Sequence, residues 1–288
     1  MKMRILLVGF AMGMATTLFG VVNGSNVFGQ IECTSPYEKT IVAIPWVSTN
    51  ATATAHTIKI AEIIQTTNLK NGTMALHWNG SSWDGWIITD GVWESMAAAT
   101  ADASGVGVAV SAPAPEAVVN RGSAIWLIRP KADYTKEGET TPDYSAPFYI
   151  YGKYDPVTCS ATVPAGTKNV PKYTLMSAPF AVSDGYNLNG IAAATWAGFG
   201  TTEADGIRVQ TGTAPYYKEY SFRNEQGWGE VGAVTKTWNA TKKRYTYEAS
   251  FTLGCTIPAG HGFWYVNRSV GDITIAWPGE QSQASDEP

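Results

Sequence analysis

The sequence predicts a mainly β protein of two tandem, similar, antiparallel β units, sandwich- or barrel-like, each with one short helix. Three observations lead there. Charged residues make up 15% of the chain, while it holds 29 Gly, 11 Trp and 14 Tyr; that charge is well below the roughly 25% of an average soluble domain. Asn-Gly and Asp-Gly dipeptides at 71–72, 79–80, 84–85, 90–91, 184–185, 189–190 and 205–206 punctuate short β-branched and aromatic runs, the pattern of strands joined by tight turns. Finally, a series of landmarks occurs twice in the same order, and a repeated series is the signature of a repeated structural unit.

The series starts with Ile41-Val-Ala-Ile-Pro45-Trp46, matched by Leu175-Met-Ser-Ala-Pro179-Phe180. Beyond each proline by 27 residues stands a glycine, Gly72 after Asn71 and Gly206 after Asp205. Each glycine opens a strand-like run, 73–76 and 207–209, and a tryptophan follows, Trp93 or Trp228. Next come Gly122-Ser-Ala-Ile-Trp126 and Gly260-His-Gly-Phe-Trp264, turns feeding tryptophan-anchored strands. Last strands end at Gly152 and Gly279. These landmarks place unit 1 at 30–154 and unit 2 at 155–279, with a low-complexity Ala/Ser/Pro/Gly loop at 97–117 and a polar, disordered tail at 280–288.

Within the units, Thr57–Gln65 puts Ile60, Ile63 and Ile64 on one helical face, and Leu188–Trp196 is its counterpart. Residues 243–253 alternate as a half-buried strand. The N-terminus has the layout of a secretory signal peptide over residues 1–29: Lys2 and Arg4, an apolar stretch from Ile5 to Val22, then small residues, with cleavage after Gly24 or Gly29. The expected location is therefore secreted or cell-surface, with no transmembrane segment in the mature chain. Without Lys2 and Arg4, 18 basic residues face 24 acidic ones, a net −6. With no extended basic run, that balance argues against nucleic acid as a partner. Cys159 and Cys255 each precede a Pro-Ala-Gly motif, at 164–166 and 258–260, which makes them the first pair to consider for a disulfide. Two free buried thiols are the alternative, and the odd count leaves Cys33 over.

An apolar run, a proline, a turn and then Gly260-His-Gly-Phe-Trp264 before a final strand resembles a pattern of exported bacterial surface proteins. The stretch from Asp155-Pro-Val through Pro179 to Trp264 resembles a secreted paralogue family of the Planctomycetes–Verrucomicrobia group. The first unit departs from the pattern, having Ser123-Ala124 where it has His-Gly. The resemblance implies export and surface association and nothing catalytic.

For chemistry, His261 invites attention as an acid/base, but no nucleophile or orienting carboxylate signature lies beside it, and a turn-exposed structural histidine is expected. His56 and His77 lack metal-ligand spacing, and no calcium loop, phosphate loop or nucleophile elbow is present, so neither cofactor nor metal is expected. Asp84, Asp90, Glu94, Asp205 and Glu219 sit near aromatics, and several occupy Asp-Gly turns where the side chain supports the bend. The residues most suggestive of binding are Trp78, Asn79, Trp83, Asp84, Trp86 and Trp93. Such a hairpin offers flat indole faces for C–H-rich sugar surfaces and polar edges for hydroxyls. Against this, aromatics of alternating strands commonly fill a sheet core. The expected function is a non-enzymatic structural or adhesive protein of the cell surface or extracellular matrix, associating with itself or with glycan. A carbohydrate-binding module on the aromatic hairpin is the alternative, and a glycan-active enzyme the least favoured reading.

Overall fold

The computed structural model describes residues 5–9, 16–23, 26–46, 57–79, 82–96, 118–153, 159–177, 186–189, 205–211, 217–223, 226–258 and 260–277. The expected loop at 97–117 and tail at 280–288 lie outside them.

In the first half the strands are β1 (Ile5–Gly9), β2 (Thr16–Asn23), β3 (Asn26–Cys33), β4 (Lys39–Ala43), β5 (Thr57–Lys59), β6 (Met74–Trp78), β7 (Trp83–Thr89), β8 (Val92–Ser95), β9 (Val118–Asn120), β10 (Ala124–Ile128) and β11 (Phe148–Lys153). Helices α1 (Ile60–Ile63) and α2 (Lys131–Tyr134) are single turns. In the second half they are β12 (Cys159–Val163), β13 (Lys172–Met176), β14 (Tyr186–Asn187), β15 (Gly206–Gln210), β16 (Tyr217–Arg223), β17 (Gly227–Asn239), β18 (Arg244–Leu253), β19 (Thr256–Ile257), β20 (Phe263–Asn267) and β21 (Ile273–Trp277).

The protein is mainly β and every strand pair among the described residues is antiparallel. Its two main sheets have the same strand order, β4-β10-β6-β7-β8 and β13-β20-β15-β16-β17, the second continuing into β18. Smaller pairs match too: β3–β11 with β12–β21, and β5–β9 with β14–β19. The register agrees residue by residue. Trp126 pairs with Ile41 and Leu76, as Trp264 pairs with Leu175 and Arg208. Trp93 opposes Ile88, as Trp228 opposes Phe222.

Each main sheet buries one face against its small companion sheet, as a sandwich does. Val42, Ile125, Leu127 and Trp86 pack with Ile31, Phe148, Ile150 and the α1 isoleucines in the first half. Met176, Ile207, Phe263, Tyr265 and Trp228 pack with Val163 and Ile275 in the second.

The expected helix over 57–65 shrinks to α1. Thr57–Lys59 pairs with β9 instead, because β-branched residues gain more from a strand partner than from a helix without a side-chain N-cap. The face expected to be apolar is nonetheless the buried one, with Ile60, Ile63 and Ile64 all at 3% exposure or less. The second-half helix was expected at Leu188–Trp196. Leu188 and Asn189 lie in a turn, and the remainder falls outside the described residues. Two of the expected Asp-Gly turns are not turns: Asp84-Gly85 lies within β7, and Asp205 is buried at the start of β15. There the Tyr265 hydroxyl (2.7 Å) and the Arg268 N–H (3.1 Å) both donate to the Asp205 carboxylate. Asp90-Gly91 is a left-handed turn, at φ 50° and 79°, as an Asp-Gly hairpin requires.

Cys255 is a free, buried thiol, so the bridge expected with Cys159 is absent at this end; the Cys159 side chain lies outside the described residues. Burial pushes the Cys255 thiol up to about 12, which keeps it protonated. Cys33 is likewise free and buried. Among the described residues no helix is long and apolar enough to cross a membrane.

Candidate functional site

The two main sheets meet through their other faces and their edges. Val42 of β4 bridges His261 before β20; at the equivalent positions Met176 of β13 bridges Ser123 before β10. The Ala43 N–H donates to Gly260 O (2.9 Å) and the Ser177 N–H to Gly122 O (2.8 Å). A pseudo-twofold relation therefore runs through the junction. Around it Ile41, Ala124, Trp126, Leu76 and Leu175 form a third apolar core.

Strand alternation decides which aromatics reach this junction. On β6 and β7, Leu76, Trp78 and Trp83 point toward it, whereas Ala75 and Trp86 point into the first sandwich core. Trp78 and Trp83 are cross-strand partners with ring centroids 5.2 Å apart. Trp83 meets Trp264 edge-on at 6.0 Å, and Trp264 meets Tyr173 edge-on at 6.3 Å. The pseudo-symmetric counterpart of the first contact is Trp126 against Tyr217, at 6.4 Å. Edge-to-face packing of this kind suits aromatic quadrupoles.

The symmetry breaks at the rim of the junction. Trp78 opposes Trp83 in the first sheet, and Gln210 opposes Tyr217 in the second. Gln210 closes its side: its Oε1 accepts from the Ile41 N–H (3.0 Å) and its Nε2 donates to Lys39 O (2.6 Å), covering the outer edge of β4. On the other side stands an open crevice of about 350 Å³, lined by Trp78, Trp83, Tyr173, Arg208, Tyr217 and Trp264. Its size is at the lower end of small-ligand pockets, and its walls are mostly aromatic.

Arg208 supplies the cationic group. Its Nε donates to Glu219 Oε2 (2.9 Å), and Arg268 Nη2 donates to Glu219 Oε1 (3.0 Å). The guanidinium carbon lies 5.2 Å from the centre of the Tyr173 ring. Held at Nε and stacked, Arg208 keeps its terminal N–H groups as oriented donors. Burial raises the Tyr217 phenol above its ordinary value, opposed by a hydrogen bond with Trp264 and by the charge of Arg208.

The expected binding residues divide. Trp78 and Trp83 line the crevice. Trp86 is only 3% exposed, and Trp93 packs against the first core with its Nε1 donating to Ile64 O (2.8 Å). Trp86 is a core residue, Trp93 is half-buried against that core, and neither lines the crevice. Asn79 and Asp84 brace the hairpin: Asn79 Oδ1 accepts from the Ser82 N–H (2.9 Å), and Asn79 Nδ2 donates to Asp84 Oδ1 (3.2 Å). Tyr173, Arg208, Tyr217 and Trp264 come from the second half, and the sequence reading assigned none of them to a site. One signal was available for Arg208: it stands where the first half has Leu76, a charge in an otherwise apolar repeated position.

His261 is not the exposed turn residue expected from sequence. It is buried at the junction, and burial pushes its imidazole down to about 4. Its neutral form is the folded form. Below the ordinary value of 6.5 the unfolded chain takes up a proton that the folded chain excludes. Stability present above 6.5 should fall as the pH drops toward 4 and then level, by roughly 3 kcal/mol in all. Burial acts on His77 in the same direction, against Asp84, and raises the Asp205 carboxyl, which acts oppositely. The comparison that isolates His261 is therefore the parent chain against His261→Gln, by urea unfolding between pH 7 and pH 4. The variant's stability should drop less over that range; parallel profiles would contradict the assignment.

Among the described residues no three His, Cys, Asp or Glu side chains come together as a metal site. Comparison with family models, with curated proteins and with solved structures finds no match to this chain.

Proposed function

We propose that this is an exported, non-enzymatic β protein of the cell surface or extracellular matrix that adheres by holding glycan in the crevice between its two sheets. The observation that carries the reading is the convergence of Trp78, Trp83, Tyr173, Tyr217 and Trp264 around Arg208. Indole and phenol faces match the C–H-rich faces of sugar rings, and the Arg208 terminal nitrogens can donate to hydroxyls. The open side lets a longer chain continue past the bound unit. Membership of the exported family named above is proposed on its quoted motifs alone.

Export rests on the leader-like N-terminus. In the intact chain β1 and β2 extend the β3–β11 sheet, whereas the equivalent β12–β21 sheet has two strands among the described residues. The sandwich thus has a full counterpart without β1 and β2. Of the two cleavage positions, the one after Gly24 leaves β3 whole. Gly29 is better retained: it pairs with Gly152, and a Cβ on it would lie 2.5 Å from the Trp46 ring.

The test is intrinsic tryptophan fluorescence titrated with oligosaccharides of β-1,4-linked glucose, β-1,4-linked N-acetylglucosamine and α-linked mannose. A saturable change is expected with at least one of them. Trp78→Ala and Trp83→Ala should each weaken it about tenfold or more, the loss of one aromatic contact of about 1.4 kcal/mol. Flat titrations of the parent chain across the panel would contradict the proposal. Self-association has one structural support, since β18 is the outer strand of its sheet and an open edge invites pairing. Sedimentation of the parent chain at rising concentration measures it.

A further inference from the structure

The second main sheet carries something the first lacks. Where β8 has four residues, β17 has 13 and continues into β18. β16 pairs with β17 only as far as Glu230. A register shift falls between Val231 and Val234, and from Val234 to Asn239 β17 pairs, among the described residues, with β18 alone. This two-stranded arm runs on past the last β16 pairing for roughly 20 Å, at about 3.3 Å per residue. A lone two-stranded ribbon is marginally stable in water unless one face is covered.

One face of the arm is aromatic. Trp238 and Tyr245 are cross-strand partners with rings 5.0 Å apart, and they are 53% and 49% exposed. Lys236 Nζ lies 4.0 Å from the Tyr245 ring centre on the same face. Of the eight large hydrophobic residues exposed among the described ones, Val231, Trp238, Tyr245 and Leu253 all belong to β17 and β18. Half of the large hydrophobic residues exposed among the described ones therefore lie on these two strands, Trp238 and Tyr245 on the arm itself. The arm is also cationic. Lys236, Lys242, Lys243 and Arg244 fall between Glu230 and Glu248 with no carboxylate among them, on a chain of net charge −4. Lys242 and Lys243 form the tip, where the Lys242 N–H donates to Asn239 Oδ1 (2.9 Å) and Lys243 takes φ 49°.

We propose that this arm docks on an anionic lipid surface, with Trp238 and Tyr245 at the headgroup level and Lys236, Lys242, Lys243 and Arg244 against the lipid phosphates. Charge complementarity selects an anionic partner. The exposed Trp–Tyr pair selects a bilayer over a soluble polyanion, because the headgroup zone accommodates aromatic rings and cations together, whereas a soluble polyanion leaves the rings in water. Each Lys or Arg near such a surface adds binding that salt screens. The arm is separate from the glycan crevice, so either site can fail without the other.

The experiment uses the full chain and its variants, which share one N-terminus, with vesicles of phosphatidylcholine alone or with added phosphatidylglycerol. Co-sedimentation should rise with phosphatidylglycerol and fall with salt. Trp238→Ala and the pair Lys242→Glu with Lys243→Glu should each reduce vesicle binding at least about tenfold. Far-ultraviolet circular dichroism of these variants should match the parent, since all three side chains are exposed. Three results would overturn the proposal: equal binding to neutral vesicles, equal binding by parent and variants, or binding to dextran sulfate without binding to vesicles. Loss of a parent dimer on Trp238→Ala, with vesicle binding unchanged, would overturn it in favour of a second copy of the chain as the occupant.

Discussion

Arg129→Met should lower the unfolding free energy by about 3 kcal/mol or more, read as a shift of the urea midpoint at unchanged slope. Arg129 follows β10 and is 1% exposed. Its Nη1 donates to Tyr144 O (3.1 Å), and its Nη2 donates to Ser35 O and to Tyr37 O (2.8 Å). The guanidinium also packs over the rings of Tyr134, Tyr144 and Phe148. Burial holds its pKa below the ordinary value, so desolvation works against the charged side chain. Methionine relieves that cost and keeps much of the packing. It also leaves three carbonyls without their donor, at about 1–3 kcal/mol each, and this loss is the larger. The second half uses Asn267 in the same place: its Nδ2 donates to Pro164 O (2.9 Å) and Gly271 O (3.1 Å). In both halves a buried polar side chain at the end of the second strand of the sheet ties down the loop entering it. Arg129→Lys should recover part of the stability, because an ammonium can meet some of the same carbonyls. A midpoint for Arg129→Met equal to the parent's would contradict this role.

Gly262→Ala should cost about 2–3 kcal/mol, an effect of overpacking and not of backbone strain. A Cβ on Gly262 would stand 2.3 Å from Ala124 Cβ, 2.6 Å from Ile41 Cγ2 and 3.0 Å from Met176 O. These atoms belong to β4, β10 and β13, so the glycine sits where the two sheets meet. Ala124 and Ile41 are both fully buried and have no room to withdraw. Adding Ala124→Gly should restore part of the loss by removing the nearest clash, with Ile41 left as the remaining one. Additive losses in the double variant would show that the contact is not what constrains Gly262.

Much of the fold was legible because several paired landmarks mark matching positions in two sheets of the same strand order, although Gly72 and Gly206 do not, since the register sets Gly206 against Met74. Setting Ile41 against Leu175, Trp126 against Trp264 and Trp93 against Trp228 gave pairs that the strand register independently makes equivalent. The short helix was misjudged because Ile60, Ile63 and Ile64 satisfy a helical face whether four residues or nine are wound. Strand pairing to β9 then settled how many. The region 243–253 was read correctly as a strand, but not as part of an arm. Alternation does not distinguish a half-buried strand from a ribbon with one aromatic face in water. The site was half legible. Trp78 and Trp83 stood out as a cluster, but Trp86 and Trp93 share that cluster and point into the core, because the pleat sends alternate residues to opposite faces. Tyr173, Arg208, Tyr217 and Trp264 come from four further strands. They join the site only through the pseudo-twofold meeting of two sheets, which no local pattern encodes. The buried position of His261 has the same origin: its bridge to Val42 is made across the junction.

The most direct test of the glycan crevice is a two-dimensional ¹H–¹⁵N spectrum of the tryptophan indoles, recorded during titration with the oligosaccharide that gives the largest fluorescence change. The indole signals of Trp78, Trp83 and Trp264 should move together along one binding isotherm. Those of Trp86, Trp93 and Trp228, packed in the two sandwich cores, should stay in place. Movement of the core tryptophans, or of Trp238 on the arm, with the three crevice signals fixed would contradict the account.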